Sequence, residues 1–255
     1  MAKVLSIVNQ KGGVGKTTSA VSLGAYLAHA GKFVLLIDLD PQANATSGVG
    51  VNHQELSQSI YHVLTGQANL RQVIVPTPHE GYRVAPASAE LSGARVELVA
   101  LPDREFKLQQ ALLEVKSDYD VVIIDCPPSL DLLTVNGLVA SDALLIPIQS
   151  EYYALEGLGQ LLQTVGLVRE RLKPDLAVLG GVVTMFDSRN RLSQQVLDEL
   201  KQHFPYPIFQ SIVPRNVRLS ESPSYGQTIL QYDPASKGAR AYEQLAEEVL
   251  RALNI

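Results

Sequence analysis

Short apolar runs alternate along the chain with longer segments in which apolar residues recur at helical spacing. The short runs are typical of strands buried on both faces of a parallel sheet, and they lie at 4–8, 33–37, 82–85, 119–125, 143–147 and 178–184. The longer segments predict helices, with Ser193 as one N-cap, at 19–30, 59–64, 104–116, 132–140, 155–172, 193–204 and 235–253. Strands that alternate with helices indicate an α/β fold: a doubly wound, mostly parallel sheet with helices on both faces.

Composition favours a single globular domain over residues 1–255. Hydrophobic residues make up 46 % of the chain and charged residues 18 %, and we find neither a linker nor an internal repeat. No apolar run approaches the ~20 residues that a membrane-spanning helix needs. The first strand leaves no room for a signal peptide, and the one cysteine, Cys126, excludes an internal disulfide. We therefore expect a cytoplasmic protein.

A glycine-rich segment, NQKGGVGKTT at residues 9–18, lies between the first apolar run and the first helical segment. This strand–loop–helix context is what a phosphate-binding loop requires. Glycines let backbone N–H groups point inward at an anion, and the helix N-terminus adds partial positive charge. Lys16 can reach the β- and γ-phosphates, and the Thr17 hydroxyl can bind Mg²⁺. The expected nucleotide-binding residues are Lys11, Gly12, Gly13, Val14, Gly15, Lys16, Thr17 and Thr18.

Carboxylates follow two of the predicted strands, at the edge of the sheet where ligands bind in such folds. Asp40 can face the γ-phosphate and orient an attacking water, and Asp38 can hold a metal-bound water. The alternative for both is a cap or turn role, because Asp-Pro is a frequent turn signal. Asp125 ends an apolar strand, the Walker B arrangement, in which the carboxylate reaches Mg²⁺ through water. Thr17, Asp40 and Asp125 are therefore the candidate metal residues, and the stiff turn after Asp125, 126–129, suits γ-phosphate sensing.

The loop departs from the usual pattern G-x-x-x-x-G-K-[ST], because Gln10 replaces the first glycine and Lys11 is an additional lysine. In this form it resembles the deviant Walker A loop of the ParA/MinD family of ATPases. Similarity to the chromosomal, Soj-type ParA proteins runs almost end to end and includes the segments 38–48, 91–97, 150–157 and 231–238. The resemblance implies a P-loop NTPase fold, ATP or ADP with Mg²⁺ as cofactors, and ATP hydrolysis.

The same resemblance implies roles for single residues. Lys11, Lys16 and Asp40 would be catalytic, with Lys11 reaching across a homodimer interface to the partner's nucleotide. Glu151 would approach the ribose, although an acidic residue at a helix N-terminus explains it equally well. Pro214 would pack on the adenine, and Asn216 would hydrogen-bond its edge; without the resemblance this segment is an ordinary polar loop.

The resemblance also implies partners: a ParB-type centromere-binding protein that stimulates hydrolysis, and double-stranded DNA bound without sequence preference. Arg189, Arg191 and Arg218 are the expected DNA contacts, and binding would associate the protein with the nucleoid. A net charge of −5 argues weakly against DNA binding, but clustered basic residues matter more than net charge. The alternative for each loop arginine is a solvated surface charge.

Other functions are compatible with the same fold, since fold alone does not fix function. A MinD-like positioning ATPase would end in a basic membrane-binding helix, but the segment 243–255 holds three acids and one arginine, so we expect a packed helix and no membrane partner. A metabolic ATP-dependent ligase or a metallocluster carrier stays open. The nitrogenase iron protein shares the fold but needs two cysteines per subunit, so Cys126 is expected to be a buried small residue. We therefore expect a DNA-segregation ATPase.

Overall fold

Seven strands form one sheet in the order β3-β4-β2-β5-β1-β6-β7. The structure is a computed structural model that describes residues 2–151 and 154–255, so Tyr152 and Tyr153 of the 150–157 segment lie outside the described residues. The strands are β1 Lys3–Ile7, β2 Val34–Asp38, β3 Val75–Pro76, β4 Tyr82–Ala85, β5 Val121–Asp125, β6 Ala143–Gln149 and β7 Ala177–Thr184. Neighbouring strands are parallel except for the pair β3 and β4, which confirms the predicted sheet.

Helices cover both faces of the sheet. They are α1 Lys16–His29, α2 Asn44–Gly48, α3 Ile60–Leu64, α4 Leu70–Val73, α5 Leu91–Glu97, α6 Lys107–Leu112, α7 Leu132–Ala140, α8 Ala154–Arg171, α9 Arg191–His203, α10 Val217–Glu221, α11 Ile229–Tyr232 and α12 Lys237–Leu253. None of the described helices is long and apolar enough to cross a membrane.

Alternate residues of the central strands face opposite cores. In β2, Leu35 and Ile37 belong to the core that also contains residues of α7, α8 and α9, whereas Val34 and Leu36 belong to the core that contains residues of α1 and α12. Because each face is covered by helices, most positions of such a strand are apolar, and the run shows no regular polar alternation. This two-sided burial fixes the carboxyl ends of β1, β2 and β5 side by side at one edge of the sheet.

The helix predicted at 104–116 is wrong at both ends, since α6 is much shorter. Asp103 has a positive φ of 51° and turns the chain, and the Phe106 N–H donates to the Asp103 carbonyl at 2.9 Å. The Asn136 side chain on α7 accepts a hydrogen bond from the Leu108 N–H at 3.1 Å. A tertiary contact therefore satisfies an N–H of the first helical turn, which the local sequence could not indicate.

The predicted cap of α9 is also wrong. Asn190 caps the helix, and its Oδ1 accepts a hydrogen bond from the Leu192 N–H at 3.0 Å. Ser193 lies inside the first turn, where its hydroxyl accepts a hydrogen bond from the Ser150 hydroxyl at 3.3 Å. Asparagine and serine are both favoured caps, so the pattern alone did not separate them. In the same way α12 begins two residues later than predicted, after its N-cap Ser236.

The helix α12 packs against α1 beneath the glycine loop, which confirms the expected packed C-terminal helix. Tyr242 and Leu245 are buried against α1, and the Tyr242 hydroxyl lies 3.0 Å from the Ser19 hydroxyl. Gly24 of α1 provides a second close approach, because an added Cβ there would overlap the buried phenol of Tyr82 on β4. The absence of a side chain at Gly24 therefore sets how closely α1 approaches the sheet.

We predict that Gly24→Ala destabilises the protein even though alanine is the better helix former. Overpacking at Tyr82 should lower the free energy of unfolding by about 1–3 kcal/mol, measured by urea denaturation. Gly159→Ala on α8 is the matched control: no described atom lies within 4 Å of the Cβ it would add, so we expect a small gain. Equal stability of the two variants would contradict the packing assignment.

Candidate nucleotide-binding site

The glycine loop runs from the end of β1 directly into α1, so the helix begins three residues before the predicted start. Gly13 and Gly15 have φ values of +75° and +86°, a left-handed conformation that glycine adopts at little cost. Gly15 is the N-cap of α1. The N–H groups of the first helical turn are therefore available to an anion at this end of the sheet.

Side chains from neighbouring strands hold the loop in place. Asn9 donates to the Pro147 carbonyl at 2.7 Å and accepts from the Lys11 N–H at 3.0 Å. Thr184, the last residue of β7, donates from its hydroxyl to the Val14 carbonyl at 2.8 Å. Hydrogen bonds to β6 and β7 thus hold the backbone of the loop in position, in addition to the conformational preferences of its own residues.

Gln10 stands where the usual phosphate loop has a glycine, and its side chain ties the loop to α8. Its Nε2 donates to the Gly157 carbonyl at 2.9 Å and to Gln160 Oε1 at 3.0 Å. Sequence reasoning noted the missing glycine but did not anticipate this contact, which joins residues about 150 positions apart. The glutamine that replaces the usual glycine therefore connects the glycine loop to α8.

Lys16 lies inside the loop with 6 % of its surface exposed. Its ammonium donates to the Lys11 carbonyl at 3.0 Å. Burial lowers the pKa of Lys16, whereas the neighbouring Asp125, Cys126 and Asp40 raise it. A cation held in a poorly hydrated loop near carboxylates is suited to attract a phosphate group.

Two buried carboxylates lie next to each other at the carboxyl ends of β2 and β5, where Asp38 and Asp125 are register partners. Asp38 is satisfied: its Oδ1 accepts from the Asp40 N–H at 3.0 Å, and its Oδ2 accepts from the Thr46 N–H and hydroxyl at 2.9 and 2.8 Å. Burial raises the pKa of Asp38 to about 6, and the hydrogen bonds from Thr46 limit the rise. The structure therefore gives Asp38 the turn-forming role, with Thr46 as a partner that the sequence did not reveal.

Asp125 is the opposite case. Among the side chains that the structure describes, its two oxygens are the only buried polar atoms without a hydrogen-bond partner. Burial raises the pKa of Asp125 well above its usual value, and the neighbouring Asp38 adds to the rise. Thr17 and Lys16 lower this pKa, although the Thr17 hydroxyl is not oriented to form a hydrogen bond with either oxygen of Asp125. A carboxylate without partners is costly to bury, and its position beside Thr17 fits a cation site.

Asp40 lies at the start of the turn that follows β2. Its Oδ1 accepts a hydrogen bond from the Gln42 N–H at 3.0 Å, and Ala43 follows with a positive φ of 52°. The turn-forming alternative thus describes Asp40 in this conformation. Its expected part in hydrolysis and metal binding stays a prediction, and Asp40 is near enough to Lys16 to affect that residue's pKa.

A cavity of about 270 Å³ opens beside the loop. Its lining brings the expected base-binding residues Pro214 and Asn216 together with Gly15 and Thr18 of the loop. Asn216 is also the N-cap of α10, since its Oδ1 accepts from the Arg218 N–H at 2.8 Å. That oxygen already accepts one hydrogen bond, and the NH₂ group is the donor that Asn216 can offer to a base.

Lys11 and Glu151, both expected at the nucleotide, contact each other within one chain. The Lys11 ammonium lies 2.8 Å from Glu151 Oε2, and the Gln149 side chain donates to the other carboxylate oxygen at 2.6 Å. Both charged side chains are partly exposed. The sequence placed each residue near the site but did not reveal that they pair.

The expected DNA-contacting arginines are all exposed, and carboxylates accompany Arg189 and Arg218. Arg189 Nη2 lies 2.8 Å from Asp187 Oδ2. The hydrogen bond from Arg189 lowers the pKa of the Asp187 carboxyl to about 2. Arg218 pairs with Glu221 at 3.0 Å and lies 3.4 Å from Asp233. Arg191 is exposed at the first position of α9.

Arg215 was not among the predicted contacts, yet the structure places it on the same surface. Its N–H donates to the Phe186 carbonyl at 3.0 Å, and its charge lowers the pKa of Asp187. The exposed Arg215 therefore lies beside Arg189, although 26 positions separate them in the sequence.

The sheet, with its glycine loop between β1 and α1 and a buried acidic residue at the end of β5, defines the P-loop NTPase class. Residues 2–178 match the family described as AAA domain. The chain is 52 % identical to the sporulation initiation inhibitor protein Soj of Bacillus subtilis, over 98 % of each chain. It is 50 % identical to the chromosome-partitioning ATPase Soj of Treponema pallidum, again over 98 % of each.

A solved structure is similar over the whole chain. It is named cobyrinic acid a,c-diamide synthase from Mycobacterium smegmatis with bound ADP and magnesium, is 39 % identical, covers 100 % of this chain and 96 % of that one, and has a TM-score of 0.88. With the partitioning relatives at higher identity, the chain belongs to the Soj/ParA family of chromosome-partitioning ATPases, which confirms the resemblance.

We predict opposite stability effects for the two buried carboxylates in the absence of nucleotide. Asp125→Asn removes a buried carboxyl group whose oxygens have no hydrogen-bond partner among the described residues, so the free energy of unfolding should stay the same or rise by about 1 kcal/mol. Asp38→Asn places an NH₂ group against backbone donors and should cost about 1–3 kcal/mol. Urea unfolding of both variants provides the measurement, and the reverse order of stability would contradict the contrast drawn between the two sites.

Proposed function

We propose that residues 1–255 act as one Mg²⁺-dependent ATPase domain that hydrolyses ATP to ADP and phosphate and drives DNA segregation. The observation that carries this proposal is the buried carboxylate of Asp125, which has no hydrogen-bond partner and lies beside Lys16 and Thr17 at the end of a glycine loop. The partitioning ATPases among the relatives, and the neighbour with bound ADP and magnesium, support the same reading.

The nucleotide would lie along the loop with its base in the cavity near Pro214 and Asn216. The N–H groups of the loop and the Lys16 ammonium would bind the phosphates. Thr17 and Asp125, with Asp40 as a third candidate, would hold Mg²⁺, which commonly takes few protein ligands and completes its shell with phosphate oxygens and water. When bound, the metal ion neutralises charge on the phosphates. Asp40 would orient the attacking water.

Two chains would close face to face over two nucleotides. No described atom lies within 4 Å of the position that a Cβ would take on Gly12, so this part of the loop is open to a partner. Lys11 would then exchange Glu151 of its own chain for the phosphates bound by the other chain, and Glu151 would be free to approach the ribose. ATP favours the dimer because this contact exists only in the associated state.

The dimer would bind DNA without sequence preference through Arg189, Arg191 and Arg218. Pairing two chains doubles the basic surface and strengthens phosphate contacts. A ParB-type partner would stimulate hydrolysis, after which the dimer opens and leaves the DNA. In a cell this cycle would associate the protein with the nucleoid while ATP is bound.

The decisive test uses Asp40→Ala, which should bind ATP but fail to hydrolyse it. Saturated with Mg²⁺ and ATP, this variant should sediment at twice the 27.7 kDa mass of the chain and bind random-sequence DNA. Adding Lys11→Ala should return it to the single-chain mass, because the exchanged contact is gone. An Asp40→Ala chain that stays at 27.7 kDa with bound nucleotide would refute the dimer.

DNA binding has its own test, which compares two variants that should change the DNA affinity in opposite directions. Arg189→Ala should weaken binding and reduce the slope of log affinity against log salt by about one unit. Asp187→Asn removes the carboxylate that accompanies Arg189 and should tighten binding. Arg251→Ala, in the last turn of α12, is the control and should change neither the DNA affinity nor its salt dependence. Equal DNA affinity of all four proteins across salt concentrations would remove Arg189 from the interface.

A diamide synthase activity is the second candidate, since the M. smegmatis neighbour bears that name. Comparing ATPase stimulation by DNA plus a ParB-type protein with stimulation by cobyrinic acid plus an amide-nitrogen donor separates the two. If cobyrinic acid with the nitrogen donor stimulates the ATPase and DNA with the ParB-type protein does not, diamide synthesis replaces the segregation proposal.

A further inference from the structure

Residues 207–216, which we call the outer segment, run alongside β7 and include the expected base-binding residues. Two hydrogen bonds mark its path. The Phe209 N–H donates to the Gly181 carbonyl at 2.9 Å, and the Val213 N–H donates to the Val183 carbonyl at 2.8 Å. Between these two points β7 advances by two residues and the outer segment by four. The outer segment therefore has two more residues than this stretch of β7 and forms a bulge.

The bulge, residues 210–212, is held by a side chain of α12. One carboxylate oxygen of Glu248 accepts the Gln210 N–H and the other accepts the Ser211 N–H, both at 2.8 Å. The Ser211 hydroxyl donates to the second of these oxygens. Hydrogen bonds to a carboxylate are among the stronger ones, and two neighbouring N–H groups leave the backbone little freedom. The partner of the bulge is therefore α12.

The bulge directly precedes a wall of the base cavity. Residues 213–216 line that cavity together with Gly15 and Thr18 of the glycine loop. Tyr242 of α12 lines it as well, and its hydroxyl lies 3.0 Å from the Ser19 hydroxyl on α1. One helix thus contacts the helix that follows the glycine loop and, through Glu248, the segment that forms the opposite wall. Extra residues in a strand are frequent beside active sites, where they redirect side chains.

We propose that Glu248 is a positioning residue for the base of the bound nucleotide. This inference rests on the proposed ATP site. Because Glu248 holds the bulge against α12, it restricts where Pro214 and Asn216 lie relative to the glycine loop. Less ordering of this wall is then left for the base to impose, and the base binds more tightly. The phosphates bind at the glycine loop, so their share of the affinity does not depend on Glu248.

The test compares ADP with ribose 5-diphosphate, which lacks only the base, each with Mg²⁺ and the full chain. In Glu248→Ala the ratio of the two affinities should fall about three- to tenfold, because only part of the population keeps the wall in place. Affinity for ribose 5-diphosphate should stay the same. Isothermal titration calorimetry provides both affinities. A merely structural role would lower stability, or both affinities equally, and would leave the ratio unchanged.

Two further variants separate the hydrogen bonds from the charge. Glu248→Gln keeps the length of the side chain and one accepting oxygen, so it should lower the ratio less than Glu248→Ala does. Glu247→Ala is the matched control, because the Glu247 carboxylate lies 3.8 Å from Arg251 on the same helix. It removes an equal charge from the neighbouring position of α12 and should leave the ratio unchanged.

The outcomes separate this inference from the proposed function. If the unmodified chain does not bind ADP, the ATP site itself is refuted. If it binds ADP no more tightly than ribose 5-diphosphate, or if neither variant of Glu248 lowers the ratio, Glu248 does not position the base. If Glu248→Ala does not fold, Glu248→Gln alone decides.

Discussion

The site depends on one electrostatic constraint: two carboxylates are buried side by side, and the fold supplies hydrogen bonds to one of them. Strand register places Asp38 against Asp125 in the interior of the sheet. Thr46 satisfies Asp38 with two donors, whereas Asp125 faces the loop with its oxygens unpaired and Lys16 close enough to influence it. The loop therefore brings a cation and a hydroxyl close to a buried carboxyl group whose oxygens have no hydrogen-bond partner among the described residues. Such an arrangement trades stability for readiness to bind, as functional sites commonly do.

Much of this organisation could be predicted because its causes are local. A continuous apolar run shows that a strand is covered on both faces, and a glycine loop between strand and helix shows where phosphates bind. Asp125 could be placed for the same reason, since it directly follows such a run. The short helices α2, α4, α5, α10 and α11 were not predicted, because four to seven residues rarely show a helical period; α3, with five residues, is the exception.

The rest could not be predicted because it depends on contacts between distant parts of the chain. Lys11 and Glu151 are 140 positions apart, and a pattern that places both near a nucleotide says nothing about their pairing. Thr46 is eight residues from Asp38, but its role follows from the turn between them, which includes the positive φ of Ala43. Ser193 and Asn190 were equally suitable caps by residue type, and only the turn before α9 decides between them.

In the proposed dimer, the pairing of Lys11 with Glu151 within one chain would keep the lysine near the contact that it makes with the other chain. A partly exposed ion pair contributes roughly 0–1 kcal/mol, so Glu151 orients the lysine without holding it firmly. Against a triphosphate in a closed interface, the same ammonium would meet more negative charge and less water, and the attraction would be stronger. In the proposed dimer, the exchange of Glu151 for the phosphates would then be favourable when the partner carries nucleotide and unfavourable when it does not. Nucleotide occupancy would thereby control association through one side chain, without any large rearrangement of the sheet.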